Sequence, residues 1–236
     1  MLKNEREREI VRFMKENDGF VKVSELCEKL YASQSSIRRD LTALEGRGII
    51  KRSYGGAELV TNYSNVVEFG KRSNHNIQAK KIIAKKAVGM VQEGNVIFLD
   101  QSSTSFYLAA ELMNKKGITV VTNNIEIISL LADSAVKVIS SGGVLSDQNR
   151  TCLIGTDAQY IFEHIYADIV FFSCKSLSDD GIISDCTREE VLVRNSMLKN
   201  AAKKVFLCDS EKIGTRSVYE QCRLKDIDEM ISEREE

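Results

Sequence analysis

The sequence predicts an α/β protein in two parts: a small, mostly helical head over residues 1–60 and an α/β body with a mostly parallel sheet over 78–236, joined by a linker at 61–77. Three observations predict this. Residues 3–60 set short amphipathic stretches between turn residues and close on an extended run ending in Gly55-Gly56. Beyond residue 78, short apolar runs at 96–99, 118–121, 136–139, 169–172 and 205–208 alternate with helix-length amphipathic stretches, the rhythm of strands buried on both faces between crossover helices. The charge also divides: residues 1–56 carry 12 Lys and Arg against 9 Asp and Glu, and the remaining 180 carry 21 against 25, a mildly basic head on an acidic body.

In the head, Ile10, Phe13 and Met14 share one face of a charged segment, which predicts a first helix ended by Asn17-Asp18-Gly19. Val21 and Val23 flank an extended stretch. Ser24 is expected to cap a second helix with Leu26, Cys27 and Leu30 on its buried face. A third helix is expected from Ser35 to Glu45, capped by Ser33 and ended by Gly46 and Gly48. A strand over 49–54 then leads to the hairpin tip. With Ile37 at zero and about 100° per residue, Leu41 and Leu44 fall beside it, while Arg38, Thr42, Ser35 and Arg39 fall on the other side. One face is built to be buried, and the other offers guanidinium forks and hydroxyls. Either it is a solvated charged face or it reads DNA, since arginine matches guanine edges or phosphate and hydroxyls reach phosphates. The order helix, short helix, tight turn, helix, then Lys51-Arg52 leading into a glycine-tipped hairpin is that of a winged helix-turn-helix, which favours DNA.

In the body, helices are expected near 78–92, 104–116, 124–133, 155–165 and 187–202. The strand ends carry polar or glycine residues: Asp100-Gln101-Ser102-Ser103-Thr104, Ser140-Ser141-Gly142-Gly143, Ser173-Cys174-Lys175-Ser176 and Asp209-Ser210-Glu211-Lys212. An open parallel sheet binds ligands outside the carboxyl ends of its strands. A serine-rich turn opening a helix offers free N–H groups, paired glycines allow close approach, and a lysine brings an ammonium to a phosphate. Polar strand-to-helix turns are also ordinary structure. Read as a site, the set fits a small phosphorylated, hydroxylated ligand, with the phosphate on the serine turn and Lys212 and the carboxylates of Asp100 and Asp209 on hydroxyls.

Residues 23–57 resemble the N-terminal domain of the DeoR family of bacterial transcriptional regulators. The resemblance is carried by Glu25-Leu26, Ser33, Ile37-Arg38-Arg39-Asp40-Leu41, Leu44-Glu45, Gly48, Arg52 and Gly55-Gly56-Ala57. It continues through Glu68, Arg72, Lys80 with Ile83-Ala84, Asp100 to Thr104, Thr122-Asn123, Gly142-Gly143, Gly155, Asp168, Gly181, Glu190, and Asp209 with Lys212. Ser36 stands where the family usually has Thr, and Tyr54 where it often has His. Ser102-Ser103 replaces a Gly-Thr pair or its like, and Ser173 and Ser176 stand where glycines are usual. The resemblance implies a body similar in fold to ribose-5-phosphate isomerase that binds a phosphorylated sugar effector and controls a head bound to double-stranded operator DNA, most often as a repressor of a carbohydrate operon. It implies DNA-binding roles for Ser33, Ser35, Ser36, Arg38, Arg39, Thr42, Lys51, Arg52 and Tyr54. Effector roles fall to Asp100, Ser102, Ser103, Thr104, Gly142, Gly143, Lys175, Glu190, Asp209 and Lys212. Palindromic operators imply a homodimer or higher homo-oligomer.

Other classes recede. No apolar run reaches the roughly 18 residues of a membrane helix, and the charged start lacks the apolar core of a secretory signal. Six scattered cysteines with no CxxC pair and only two histidines speak against a zinc site and for a reduced, cytoplasmic protein. No cofactor, metal site or catalytic residue is expected. Two alternatives stay open: a sugar-phosphate isomerase with an appended head, using Asp100, Glu190, Asp209 and Lys212 as acid and base groups, and a regulator whose body only dimerises.

Overall fold

A computed structural model describes residues 3–17, 20–46, 50–53, 55–59 and 69–234. The expected turn at Asp18-Gly19, the residues Gly48, Tyr54 and Glu68, and the 61–68 part of the expected linker lie outside the described residues. The chain divides into two compact units, Met1–Asn65 and Val66–Glu236.

The first unit runs α1 (Lys3–Glu16), β1 (Phe20–Lys22), α2 (Val23–Leu30), α3 (Gln34–Gly46), β2 (Ile50–Ser53) and β3 (Gly56–Leu59). The β2–β3 hairpin takes β1 alongside β3, in the order β1-β3-β2, all antiparallel. Ile10, Met14, Leu26, Ile37, Leu41, Leu44 and Ile50 form one core beneath the three helices. This is the winged helix-turn-helix expected. One cap is corrected: α2 starts at Val23, so Ser24 lies inside it, and the Lys22 N–H donates to the Glu25 carboxylate at 2.9 Å. Ser33 does precede α3, with its Oγ accepting the Ser36 N–H at 3.3 Å. Gly56 is needed for packing: a Cβ there would lie 2.7 Å from the Phe20 ring and 2.8 Å from the Val21 carbonyl oxygen.

The second unit opens with α4 (Phe69–Asn74), α5 (Ile77–Val88), β4 (Val96–Leu99), α6 (Ser103–Leu112), β5 (Thr119–Thr122), α7 (Ile125–Leu131) and β6 (Lys137–Ser140). It continues with β7 (Val144–Leu145), β8 (Leu153–Ile154), α8 (Thr156–His164), β9 (Ala167–Phe172), β10 (Ser176–Leu177), β11 (Ile182–Asp185), α9 (Arg188–Lys199), β12 (Ala201–Leu207), β13 (Tyr219–Arg223) and β14 (Glu229–Ile231). The main sheet has the order β14-β12-β9-β4-β5-β6, with every pairing parallel. Successive strand residues point to opposite faces. Ile97, Leu99, Val120, Phe171 and Leu207 pack under α5, α6 and α7, while Phe98, Val121, Val170, Phe172 and Phe206 pack under α8 and α9.

Five features depart from the sequence reading. A sixth strand, β14, has no long apolar run. A second sheet, β10-β11-β13, is antiparallel, and β7 pairs with β8 as a separate hairpin. α9 ends at Lys199, and 201–202 already belong to β12. Part of the expected linker is helix α4, which docks on α6: Phe69 meets Phe106 edge to face at 5.6 Å, and the Tyr107 hydroxyl donates to the Ser73 carbonyl at 3.0 Å. The chain leaves β4 for β5 on one side and returns to β9 on the other. The gap between the carboxyl ends of β4 and β9 is therefore the topological switch point, where such sheets open a crevice.

Candidate functional site

In the first unit, α3 buries Ile37, Leu41 and Leu44 and exposes Ser35, Arg38, Arg39 and Thr42, as the helical wheel requires; Ser33, Lys51 and Arg52 are also exposed, and Ser36 is half-buried. The Ser33 hydroxyl lies 3.1 Å from that of Ser35 and 3.0 Å from that of Ser36, clustering hydroxyls at the helix start. Arg39 Nε donates to the Ser35 carbonyl at 3.3 Å. Two further expected DNA contacts, Arg52 and Thr42, are also engaged within the unit. Arg52 Nη1 donates to Thr42 Oγ1 at 2.9 Å, and its Nε lies 2.5 Å from Glu45 Oε2. The Arg52 N–H also donates to Glu45 Oε1 at 2.9 Å; that bond, with the guanidinium, holds the Glu45 carboxyl below its usual range. Arg52, Thr42 and Glu45 thus fasten the wing to α3, while the Arg38 and Lys51 side chains have no such partner among the described residues. Asp40 is buried and takes Arg6 Nε at 2.5 Å, tying α3 to α1.

In the second unit, the switch point is built around Asp100, fully buried after β4. Its Oδ1 accepts from the Ser102 N–H at 3.2 Å and the Ser105 hydroxyl at 2.6 Å; its Oδ2 accepts from the Ser173 N–H at 3.2 Å and Arg194 Nε at 3.1 Å. Asp100 is therefore a brace that shapes the serine turn. Ser102 caps α6 by accepting the Ser105 N–H at 3.0 Å. The N–H groups of Ser103 and Thr104, in the first turn of the helix, keep no partner among the described residues. Ser173 links this turn to the end of β12, because its hydroxyl donates to the Leu207 carbonyl and accepts Lys212 Nζ at 2.6 Å. Lys212 also lies 3.2 Å from Asp209 Oδ2. Burial raises the Asp209 pKa, but the charge and hydrogen bond of Lys212, with the Lys80 charge and the Asn76 amide, together outweigh it and hold the carboxyl below its usual value.

Lys80 completes the cluster. It is buried on α5, donating to the Arg72 and His75 carbonyls. Burial first, then the Lys212 charge and, more weakly, that of Arg72, push its ammonium down to about 8. Cations from α4, α5 and the segment after β12 thus lie within electrostatic reach of one another.

The other expected effector residues lie apart from this cluster or are engaged elsewhere. Glu190 is buried with both oxygens held by amides, from Gln101 at 3.0 Å and Asn149 at 2.9 Å. Lys175 is exposed. Space beside Gly143 is taken: a Cβ would meet the Ile154 carbonyl oxygen at 2.5 Å and the Ala158 Cβ at 2.9 Å. Gly142, at φ +65°, has open space around it.

Buried polar atoms without partners mark further groups, of which only Thr104 was expected to meet the effector from the sequence. Among the described residues, Arg72 Nε and Nη2, Thr104 Oγ1, Asn123 Oδ1, Asn124 Nδ2 and Thr187 Oγ1 are buried polar atoms without a hydrogen-bond partner, and such atoms are rare in a finished fold. All but Thr187 belong to α4, to the first turn of α6 after β4, or to the residues just after β5. The position of Asn123 and Asn124 at the end of an apolar run was the available signal. Arg194 was also missed; it lies within helical sequence and pairs with Asp100, with Asp185 at 3.1 Å and with Gln221 at 2.7 Å. Burial would lower its pKa, but the surrounding carboxylates outweigh it and keep the guanidinium charged. The six cysteines are free, and burial raises the thiols of Cys152, Cys174, Cys186, Cys208 and Cys222, so these are poor nucleophiles.

Comparison with known proteins matches both units. A family model described as the DeoR-like helix-turn-helix domain matches residues 6–63, and one described as the DeoR C terminal sensor domain matches residues 75–234. The chain is 32% identical to the HTH-type transcriptional regulator GlpR of Haloferax volcanii over 99% of this chain and 91% of that one. It is 33% identical to the L-fucose operon activator of Haemophilus influenzae over 92% and 86%, and 30% identical to the lactose phosphotransferase system repressor of Streptococcus mutans over 99% and 93%. Among solved structures, ribose 5-phosphate isomerase A from Methanocaldococcus jannaschii aligns with TM-score 0.44 and 19% identity over 58% of this chain and 55% of that one. Among the described residues, no helix is long and apolar enough to cross a membrane.

Proposed function

The chain belongs to the DeoR family of transcriptional regulators, and from that premise we propose that it represses a carbohydrate operon and is controlled by a phosphorylated sugar bound at the β4–β9 crevice. Its relatives are regulators over nearly their full length, which sets the isomerase reading aside. In this reading a homodimer in the cytoplasm places α3 of each protomer in the major groove of a palindromic operator. Arg38 and Arg39 meet base edges or phosphates, Ser33, Ser35 and Ser36 meet the backbone beside the helix start, and Lys51 meets phosphate from the wing. Arg52 and Thr42 act by holding that wing.

One observation carries the effector assignment. Lys80, Lys212 and Arg72 lie within electrostatic reach of one another, and the N–H groups of Ser103 and Thr104 after β4 keep no partner among the described residues. An oxyanion with several acceptor oxygens answers all of them. Ligand hydroxyls are left to Asn123, Asn124 and Asp209. A body that only dimerised would have no use for unpaired buried donors at this edge, and each is costly to keep. Control requires the ligand to prefer one of the DNA-bound and DNA-free states.

The test is a thermal-shift screen of the full chain against pentose and hexose phosphates, followed by operator titration with any stabilising compound. Stabilisation by a phosphorylated sugar but not by its dephosphorylated form supports the reading. Release of a DNA fragment selected by the protein identifies a repressor relieved by its effector; tightening identifies an activator or co-repressed system.

A further inference from the structure

We propose that Tyr31, in the turn between α2 and α3, is a DNA-backbone contact, its phenol donating to a phosphate oxygen beside the start of α3. The proposal rests on the reading of α3 as the helix that enters the groove. Two non-glycine residues among those described have positive φ, Tyr31 at 49° and Asn76 at 55°. Asparagine tolerates this left-handed conformation; a bulky aromatic side chain meets its own backbone there, and Tyr is an outlier. Tyr31 ends α2 in that conformation, at ψ 43°, with its N–H on the Cys27 carbonyl oxygen, which also receives the Ala32 N–H at 3.2 Å. Glycine would make the same helix ending without the steric conflict.

The strained side chain is not repaid by packing, because Tyr31 is 97% exposed, the most open of the large apolar residues described. It belongs to neither the core of the unit nor the residues packed against it. Two residues on stands Ser33, whose hydroxyl cluster with Ser35 and Ser36 opens α3. A helix that puts its first turn into the major groove carries the preceding turn to the flanking sugar-phosphate strand. Tyrosine is suited to that place: its hydroxyl donates to phosphate and its ring lies against deoxyribose. The contact carries no sequence information and, since tyrosine is neutral, releases no counterion.

The experiment measures binding of the full chain to a fluorescent random-sequence duplex pool and to a fragment it selects from genomic DNA, as a function of salt. Tyr31→Phe, which keeps the ring and the strain, should weaken both by roughly fivefold, in line with one neutral hydrogen bond. Tyr31→Gly should weaken both by about tenfold or more while leaving the melting temperature unchanged or higher, with the salt slope of the unaltered chain in each case. Undiminished binding by Tyr31→Phe, or weakening confined to the selected fragment, overturns the phosphate contact. The double variant Arg38→Ala, Arg39→Ala separates the two readings: if it loses affinity while both Tyr31 variants keep theirs, the Tyr31 contact alone fails. Full affinity in all three variants overturns the groove helix and the Tyr31 contact with it.

Discussion

In the proposed effector site, Lys80 is the group at which ligand and proton would meet. Its ammonium falls from the ordinary 10.5 to about 8 in the folded chain, because it is buried and faces Lys212. Between these values the unfolded chain keeps a proton that the folded chain has released, so this group's contribution to stability rises with pH across that window and its penalty is complete below it. A phosphate in the crevice favours the charged form and draws the proton back. Affinity for a phosphorylated effector is therefore expected to be flat between about pH 7, above the second phosphate pKa, and pH 8, and to fall above it, by at most about tenfold per pH unit for one proton. Calorimetry in buffers of different ionisation enthalpy should record proton uptake on binding near pH 8.5, and Lys80→Gln should remove both effects. Lys212→Ala should lower effector affinity at least about tenfold, by loss of a charge-assisted bond, and leave DNA binding by the effector-free protein nearly intact. A normal effector titration of that variant would mean that Lys212 serves only its turn, through Ser173 and Asp209. Lys212, Ser103 and Thr104 were legible because each follows an apolar run. Lys80 and Arg194 were not read as site groups: each lies within a helical stretch, and only the third dimension shows what they face.

At the scale of an element, α3 was the most legible part of the chain, since a single helix with one buried face encodes its orientation in its own spacing. Arg38→Ala is expected to weaken binding to a selected operator by about 1–3 kcal/mol and to relax preference at one position. Lys51→Ala should weaken all sequences alike and lower the salt slope by about one. Glu45→Ala is a separate test of the wing: with Arg52 released from α3, operator affinity should fall with little change in melting temperature, as the pair is largely open to solvent. Asp40 obeys the same wheel from its other side, next to Leu44. Asp40→Ala strands Arg6 and should destabilise the head by about 1–3 kcal/mol, measured by denaturant titration. The second sheet was illegible for the opposite reason. β10 has two residues, and β13 reads Tyr-Glu-Gln-Cys-Arg; such strands owe their pairing to partners far along the chain rather than to any local apolar run.

At the scale of the molecule, the two-part organisation was legible because the hydrophobic rhythm changes, from helical spacing in the head to alternating apolar runs and helices in the body. The place of the change was blurred by composition. The stretch 61–77 is polar and reads as connection throughout, yet Phe69–Asn74 is helical and held to α6 by Phe69 and Ser73. Its backbone does more than connect, because the carbonyls of Arg72 and His75 hold the Lys80 ammonium, and Arg72 brings its own charge to that cluster. The structure that supports Lys80 therefore includes Phe69–Asn74, ahead of residue 78. Two fragments test this. One covering residues 66–236 should fold, bind the same phosphorylated sugar as the full chain within a fewfold, and fail to bind DNA. One covering residues 78–236 retains the residues of the parallel sheet but loses Arg72, Ser73 and the carbonyls that hold Lys80. It should melt earlier and bind the sugar phosphate at least about tenfold more weakly, as expected from the loss of a charged contact and its supporting bonds. Limited proteolysis of the full chain should make the first cut within 61–68, the polar stretch across the boundary of the two units. Equal ligand binding by the two fragments would return the whole of 61–77 to the role of a linker.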